Sequence, residues 1–164
     1  MKSLTIVRHA KSSWKDRGLS DRERPLNTRG DRDAPIMGRR VAAAGIRPSQ
    51  IISSPAVRAW TTARIFAKEL GYPIEFLQRE DGLYLASLDN LLDVVATQDD
   101  GFNHLMLFGH NPGLTDIVNY LVPGLTNNLP TAGVVSVDLD CNDWMLFDRP
   151  PGELVLHDYP KKKL

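Results

Sequence analysis

The stretch "LTIVRHAKSSW" (residues 4–14) decides the fold, because an apolar run inside it ends abruptly at a cation and an imidazole. Leu4 to Val7 has the aliphatic character of a short buried strand, and Arg8 and His9 follow it directly. Burying a charged side chain is costly unless it has a partner. We therefore expect the end of this strand to line a site for an anion.

Short apolar runs alternate with helical patterns along the rest of the chain. The strongest helix is expected from Ala56 to Leu70, because Pro55 stands at its entry and Gly71 follows it. This alternation predicts an α/β fold in which a mostly parallel sheet carries helices on both faces. The other candidate strands are Gln50–Ser53, Ile74–Leu77 and Leu105–Phe108, and the other candidate helices lie between Thr28 and Gly45, Ser87 and Thr97, and Leu114 and Leu121.

The C-terminal part of the chain has a different pattern. We expect "GVVSVDLD" (133–140) and "WMLFDRP" (144–150) to form two strands of a hairpin, separated by the turn "CNDW" (141–144). The following piece "GELVLHDY" (152–159) could prolong or repeat that edge. An antiparallel addition near the C-terminus is therefore predicted for the otherwise parallel sheet.

Length and charge limit the class of protein. The chain has 164 residues, enough for one domain with a sizeable core, so we expect a single domain over residues 1–164. The formal net charge is zero, which does not indicate a nucleic-acid partner. No apolar run approaches a membrane span, and the N-terminal run is too short for a signal peptide. We expect a cytoplasmic protein with neither nucleic-acid nor membrane partners.

Two further strand ends carry basic side chains like those of the first. The candidate strand that ends at Ser53 is followed by Arg58, and the one that ends at Phe108 is followed by His110. In an open parallel sheet, ligands bind beyond the carboxyl ends of the strands. If these strands are neighbours, one pocket receives the side chains of Arg8, His9, Arg58 and His110.

These residue types fit a phosphoryl group. Two guanidinium groups, those of Arg8 and Arg58, can each hold phosphoryl oxygens in bidentate fashion. Neutral His9 can attack phosphorus through one ring nitrogen while a backbone carbonyl holds the other. His110, if protonated, adds positive charge, and the N–H of Asn111 could point at an oxygen. No acidic cluster suited to Mg²⁺ accompanies this set, so we expect neither a metal nor a cofactor.

Five stretches between Leu4 and Leu121 carry a resemblance: "VRHAKSSW", "DRERPLNTRG", "IISSPAVRAWTTA", "EDGLYLAS" and "LFGHNPGL". Together they resemble the histidine phosphatase superfamily, which has the phosphoglycerate-mutase-like fold, and most closely its SixA-type phosphohistidine phosphatases. The resemblance implies a three-layer α/β/α fold with a mixed sheet. It also implies that His9 is the phosphorylated nucleophile and that the rest of the phosphate pocket consists of Arg8, Arg58 and His110.

The resemblance adds two groups of candidates around the pocket. In larger members an acidic residue after the third strand protonates the leaving oxygen, and here Glu80 and Asp81 stand at that place. Glu80, Asp81 or no general acid at all are the alternatives. The loop after the first motif is expected at the mouth of the pocket, with Asn27 as a substrate contact and Arg24 paired with Asp21.

The interval between Leu77 and His104 is too short for the helical lid that larger superfamily members place over the site. An open, shallow site suits a phosphohistidine on the surface of a partner protein, removed by a metal-independent phosphatase through a phosphohistidine intermediate. One alternative is a phosphatase of a small phosphorylated metabolite, and another is a non-catalytic module that has kept the pocket. A metabolite's second anionic group could be held by loop arginines, namely Arg17, Arg22, Arg24 and Arg29.

Overall fold

The computed structural model describes residues 1–162, which form one six-stranded sheet flanked by four α-helices. Short 3₁₀ turns interrupt the connections at Asp21–Glu23, Ile74–Phe76, Asp81–Leu83 and Leu146–Asp148. The strands are β1 (Lys2–Arg8), β2 (Gln50–Ser53), β3 (Gln78–Arg79), β4 (His104–Gly109), β5 (Val134–Leu139) and β6 (Gly152–Asp158). The helices are α1 (Thr28–Ala43), α2 (Val57–Leu70), α3 (Leu88–Ala96) and α4 (Gly113–Leu121).

The sheet is mixed and mostly parallel, with the order β3-β2-β4-β1-β5-β6. Strands β1, β2, β3 and β4 run parallel to one another, whereas β5 pairs antiparallel with both β1 and β6. Arg8 lies opposite Gly109, and Ser53 lies opposite Phe108. The carboxyl ends of β1, β2 and β4 therefore come level with one another at one edge of the sheet, as the predicted α/β fold requires.

The core has two layers, one on each face of the sheet. Because side chains alternate along a strand, Leu4 and Ile6 of β1 face one way and Val7 faces the other. Leu4 and Ile6 pack with buried residues of α3 and α4, while Val7 packs with Met37 of α1 and Phe66 of α2. The three-layer arrangement implied by the resemblance is confirmed.

The predicted strand at Ile74–Leu77 is wrong. Ile74–Phe76 forms a 3₁₀ turn, and the strand that pairs with β2 is the two-residue segment Gln78–Arg79. Ile74 is 42% exposed and Phe76 is 61% exposed, so in this run only Leu77 packs into the core. The edge of the sheet is consequently short and polar.

The predicted strand "WMLFDRP" is also wrong. Leu146–Asp148 forms a 3₁₀ turn, and Trp144 is fully buried with its indole N–H donating to the carbonyl of Phe102 at 2.9 Å. The segment that returns along β5 is β6, which lies within "GELVLHDY". The hairpin exists, but its second strand is the later of the two candidates.

The connection from β3 to β4 carries the Asp81–Leu83 turn and α3 as its regular structure, which confirms that the fold lacks a large lid insertion. The carboxyl edge of the sheet stays open as a result. None of the helices formed by the described residues combines the length and apolar character that crossing a membrane requires.

Candidate active site

A cavity of about 280 Å³ opens at the carboxyl edge of the sheet. It lies where β1, β2 and β4 end level with one another, so side chains that follow separate strands reach it together. The structure thus brings together the four side chains that the sequence predicted to converge. The lining comprises Arg8, His9, Arg58 and His110, together with Lys11, Ser12, Trp14, Asp21, Arg24, Leu85, Asn111 and Thr131.

His9 is held in one tautomer by the backbone next to it. Its Nδ1 lies 2.7 Å from the carbonyl oxygen of Ala10, and a carbonyl can only accept, so Nδ1 carries the proton. The Nε2 atom therefore keeps a free lone pair. The side chain is only 7% exposed and lines the cavity. His9 is oriented as a nucleophile would be.

The surroundings keep His9 uncharged near neutral pH. Burial lowers the pKa of His9 to about 4, and the positive charges of Arg58 and Arg8 act in the same direction, against the opposing hydrogen bond to the Ala10 carbonyl. An imidazole with this pKa is almost entirely neutral at pH 7. The lone pair of Nε2 is then available for attack on an electrophile.

Arg8 and Arg58 each bury one N–H that has no partner among the described residues. Arg8 donates through Nη1 to the carbonyl of Leu129 at 3.0 Å, and Arg58 donates through Nη1 and Nη2 to the carbonyl oxygen and Oδ2 of Asp21 at 2.7 and 2.9 Å. The Nε atoms of both arginines remain unpaired and buried. Such donors are rare in folded proteins because each carries a desolvation penalty.

The positive charges of Arg8 and Arg58 also repel each other. Burial lowers the pKa of Arg8, and the charge of Arg58 lowers it further. Two guanidinium groups that line one cavity and repel each other are what a tetrahedral anion would stabilise. The residues present therefore fit an oxyanion such as a phosphoryl group.

His110 completes the group around His9. The two ring centroids lie 5.2 Å apart. Its Nδ1 lies 3.3 Å from Nη2 of Arg58, which can only donate, so Nδ1 accepts and Nε2 donates to Oγ of Ser54 at 2.7 Å. Burial, His9 and Arg58 lower the pKa of His110 to about 3. His110 is thus neutral in the free site and is not the third cation that a protonated ring would supply.

Thr62 ties the first strand end to helix α2, which the sequence did not reveal. Its hydroxyl accepts from the N–H of Ala10 at 3.0 Å and donates to the carbonyl of Arg58 at 2.7 Å. The residue after the nucleophile and the first turn of α2 are therefore joined through one buried side chain. This link fixes the distance between the elements that carry His9 and Arg58.

Asp21 connects Arg58 to the loop that borders the cavity. Its Oδ2 accepts from Arg58 and from the hydroxyl of Tyr84, and its Oδ1 accepts from Nε of Arg24 at 3.2 Å. Partial burial opposes ionisation, but the hydrogen bonds from Tyr84, Arg58 and Arg24 lower the pKa of Asp21 to about 2. The predicted pairing of Arg24 with Asp21 is present, and the contacts of Asp21 with Arg58 and Tyr84 add to it.

The candidate general acids stand apart from the cavity lining. Oε1 of Glu80 accepts from the N–H of Gly82 at 3.4 Å, at the start of a 3₁₀ turn, and Asp81 is exposed. Neither carboxyl lines the cavity that contains His9. Asp21 is the one acidic side chain among the described residues that line the cavity.

The two asparagine candidates have different places. Asn27 caps helix α1, where its Oδ1 accepts from the N–H of Gly30 at 2.9 Å, and it does not line the cavity that contains His9. Asn111 does line the cavity, but its side-chain amide donates to the carbonyl of Leu129 at 2.9 Å. The structure brings Asn111 to the site and leaves Asn27 at a helix start.

Histidine, cysteine, aspartate and glutamate side chains are common metal ligands. Among residues 1–162, no group of three or more histidine, cysteine, aspartate or glutamate side chains is placed to hold a metal ion. The positive charge in the cavity comes from arginine and lysine side chains, namely Arg8, Lys11, Arg24 and Arg58.

Comparison with known proteins gives consistent matches. The sequence model of the histidine phosphatase superfamily (branch 1) matches residues 4–83. An uncharacterised chloroplast protein of Arabidopsis thaliana is 28% identical over 151 residues, which are 86% of this chain and 68% of that protein. The structure of SixA from Agrobacterium tumefaciens has a TM-score of 0.82 and 26% identity, and the match covers 97% of this chain and 98% of that one.

A second solved structure extends the likeness in fold. The protein histidine phosphatase SixA in complex with tungstate has a TM-score of 0.79 and 22% identity, and the match covers 96% of this chain and 97% of that one. The family match spans Arg8, His9 and Arg58, while His110 lies beyond its end. The family match thus covers the first half of the chain, and the likeness in fold covers nearly all of it.

Proposed function

Because the chain belongs to the histidine phosphatase superfamily, we propose that it is a metal-independent phosphatase in which His9 carries the phosphoryl group from substrate to water. The observation that supports this most strongly is the state of His9. Its ring is neutral, its Nε2 lone pair is free, and it shares a cavity with the guanidinium groups of Arg8 and Arg58.

The first step transfers the phosphoryl group to His9. The Nε2 lone pair attacks phosphorus, a P–Nε2 bond forms, and the bond from phosphorus to the leaving group breaks. Arg8 and Arg58 stabilise the charge on the transferred oxygens through their free N–H donors. The carbonyl of Ala10 holds the Nδ1 proton and stabilises the positive charge that develops on the ring.

The second step returns the enzyme to its starting state. A water molecule attacks phosphorus, the P–Nε2 bond breaks, and inorganic phosphate leaves with the oxygen and one proton of that water. The electron pair of the broken bond returns to Nε2, and the second proton of the water passes to solvent. Both steps use the same arginine contacts, because the phosphoryl oxygens stay in place while the nucleophile changes.

The cavity favours a substrate with a P–N bond. Asp21 has a pKa of about 2, so this carboxyl holds no proton to donate at neutral pH. A leaving alkoxide requires a proton donor, whereas an imidazole leaves from phosphohistidine once solvent has protonated its nitrogen. We therefore propose phosphohistidine as the substrate, and Glu80 and Asp81 have no catalytic role in this scheme.

The substrate is proposed to be phosphohistidine on a partner protein. The similarity to SixA from Agrobacterium tumefaciens, which is named as a phosphohistidine phosphatase, and the open carboxyl edge of the sheet support this assignment. The small-metabolite alternative has less support. Of the four loop arginines, Arg24 lines the cavity, while Arg29 pairs with Asp33 at 3.4 Å and Arg22 stacks on Tyr84 at 4.6 Å.

Trapping the intermediate tests the proposal. A protein phosphorylated with ³²P on histidine is mixed with the enzyme and quenched in alkali, in which phosphohistidine survives. Label is expected on wild type and is expected to be absent from His9→Asn. His104→Asn is the matched control, because His104 contacts Thr5 at the far end of the sheet, 2.7 Å from its hydroxyl, and should keep the label.

Two outcomes would contradict the proposal. Label retained in His9→Asn would exclude His9 as the acceptor, and label absent from wild type despite phosphate release would exclude a covalent intermediate. The same turnover measured with excess EDTA should equal that without it. A loss with EDTA that added Mg²⁺ restores would reject the metal-independent scheme.

A further inference from the structure

Two apolar side chains at the mouth of the cavity are exposed to solvent, although their burial would be energetically favourable. Trp14 is 73% exposed and Leu85 is 56% exposed, and both line the cavity that contains His9. They come from different segments, the loop after β1 and the loop before α3. Large apolar side chains that flank a polar pocket are typical of surfaces that contact another macromolecule.

Leu85 is also held in a conformation that disfavours its side chain. Its φ is +47°, in the left-handed region, where glycine or asparagine would be less strained. Packing explains the backbone turn: a Cβ on Gly113 would lie 2.0 Å from the carbonyl oxygen of Ala86, so the segment presses directly on α4. Packing does not explain why the residue is leucine, because the side chain points its apolar surface largely into solvent.

Trp14 is exposed, but the side chain of Arg24 holds it in place. The guanidinium of Arg24 lies 3.4 Å from the centroid of the indole, and Arg24 is in turn held by Ser12 at 2.9 Å and by Asp21 at 3.2 Å. A stacked indole on an immobilised arginine loses little conformational freedom when it makes a contact. Trp14 therefore has the rigidity expected of an anchor residue.

The surface extends past Trp14 into a second hollow. This hollow, of about 660 Å³, shares Lys11, Ser12 and Trp14 with the cavity that contains His9. A single phosphohistidine side chain needs only the first of the two. The second provides room for groups of a larger partner that lie beside the phosphorylated residue.

The charge of this rim is positive. Residues 11–24 contain five basic residues and three acidic ones. Asp21 is neutralised by its contacts with Arg58 and Arg24, which leaves the exposed basic groups in excess. Acidic surfaces complement such a rim and are steered towards it. The exposed basic side chains are those of Lys11, Lys15, Arg17 and Arg22.

We propose that Trp14 and Leu85 form a docking surface for the folded protein that bears the phosphohistidine, and that this partner presents the phosphorylated side chain among apolar and acidic neighbours. The inference rests on the proposed function, since it concerns the substrate of the same site. Trp14 and Leu85 then select protein-borne phosphate over free phosphorylated molecules.

The test compares two substrates with the same P–N bond: a histidine-phosphotransfer domain phosphorylated on its histidine, and free phosphohistidine. The measured quantity is the ratio of kcat/KM for the domain to kcat/KM for the free amino acid. In Trp14→Ala and in Leu85→Gly we expect this ratio to fall about tenfold or more, because only the domain is large enough to use both anchors.

Folding and docking are separated by the choice of variants. Glycine accepts the left-handed conformation without strain, so Leu85→Gly should have a Tm equal to or above that of wild type. Phe76→Ala is the matched control. Phe76 is 61% exposed and lines a different hollow with Ser49 and Phe102, at the opposite end of the sheet, so its ratio should equal that of wild type.

Three results would overturn the docking surface. Ratios within about twofold of wild type in both variants would do so while leaving the proposed phosphatase intact. An equal loss on both substrates in Trp14→Ala would show that Trp14 acts only by holding Arg24. A wild-type enzyme that hydrolyses neither substrate would instead reject the proposed function on which the docking surface rests.

Discussion

Strand β1 carries a cation at each end, buried at Lys2 and half-buried at Arg8, and the two cations have opposite surroundings. At the start of the strand, Lys2 is 3% exposed, and its ammonium donates to the carbonyl of Phe102 at 3.1 Å and to the side chain of Asn103 at 3.2 Å. At the end of the strand, Arg8 and its neighbour Arg58 each keep a buried Nε without a partner among the described residues.

This difference in hydrogen bonding indicates that one end of β1 serves stability and the other serves activity. A buried charge whose donors are all used contributes to holding the fold together, since removing it leaves acceptors unpaired. A cation that keeps one buried N–H without a partner costs the folded chain free energy, and such costs persist where binding requires them. The end at Lys2 should therefore govern stability, and the end at Arg8 should govern activity.

The largest effect is expected from Arg58→Ala. Removing one preorganised cation from a phosphoryl-transfer site should lower kcat/KM by about 10²–10³-fold. The free energy of unfolding should change by about 1 kcal/mol or less, because the repulsion of Arg8 is relieved as the contacts with Asp21 are lost. Steady-state kinetics on a phosphohistidine-bearing protein and urea unfolding measure the two quantities.

The matched control for this variant is Arg40→Ala. Arg40 pairs with Asp158 at 3.4 Å, away from the cavity, so its loss should leave kcat/KM unchanged. If Arg58→Ala instead unfolded the protein while keeping its turnover per folded molecule, the contrast between the two ends of β1 would be refuted.

A smaller effect is expected from pH. The unfolded chain protonates His9 near pH 6.5, whereas folded His9 has a pKa of about 4, so the unfolded state binds more protons between these values. Stability therefore rises with pH through this window and is lost as the pH falls, by about 3 kcal/mol for His9 alone. Urea unfolding at pH 7, 5.5 and 4 measures the loss.

His9→Asn provides the comparison for the pH effect, because asparagine does not titrate. Its unfolding free energy should depend less steeply on pH than that of wild type between pH 6.5 and 4. Equal slopes in the two proteins would mean that folded His9 titrates near its ordinary pKa. His9 would then not stay neutral at low pH.

The smallest effect in this series is expected from Lys2→Met. Methionine keeps an apolar stem beside Trp144, whose ring lies 5.5 Å from the ammonium, but it removes the donor from the surrounding oxygens. The free energy of unfolding should fall by about 1–3 kcal/mol. The value of kcat/KM should stay at the wild-type level.

Lys68→Met, at an exposed position on α2, is the control and should change stability by less than about 0.5 kcal/mol. A fall in kcat/KM for Lys2→Met would contradict the expectation that the Lys2 end of β1 governs stability and not activity.

The convergence of the four basic side chains was predictable because each follows a strand within a few residues. Once the strands are placed in one parallel sheet, Arg8, His9, Arg58 and His110 have to meet. The groups that orient them were not predictable in the same way. Thr62 and Ser54 contact their partners across the fold, and no spacing along the chain marks such hydrogen bonds. Tyr84 lies inside a quoted motif, "EDGLYLAS", which was the one available signal for it.

The two wrong strands show where local pattern is insufficient. Ile74 and Phe76 belong to an apolar run, yet they form a 3₁₀ turn with exposed side chains, and the residues that pair with β2 are Gln78 and Arg79. Trp144 lies in another apolar run, but its burial beneath the sheet is secured by one hydrogen bond to Phe102. Apolar runs of this length are compatible with strands and with buried turns alike.

The length of β1 also has a consequence for redesign and for evolution. Its seven residues separate the two terminal cations by about 20 Å, since a strand rises about 3.3 Å per residue. Charges that far apart, beyond a screening length of about 8 Å, are nearly independent, and substitutions around them should combine additively. Selection can therefore tune heat resistance at the Lys2 end and substrate preference at the Arg8 end as separate, freely recombinable traits.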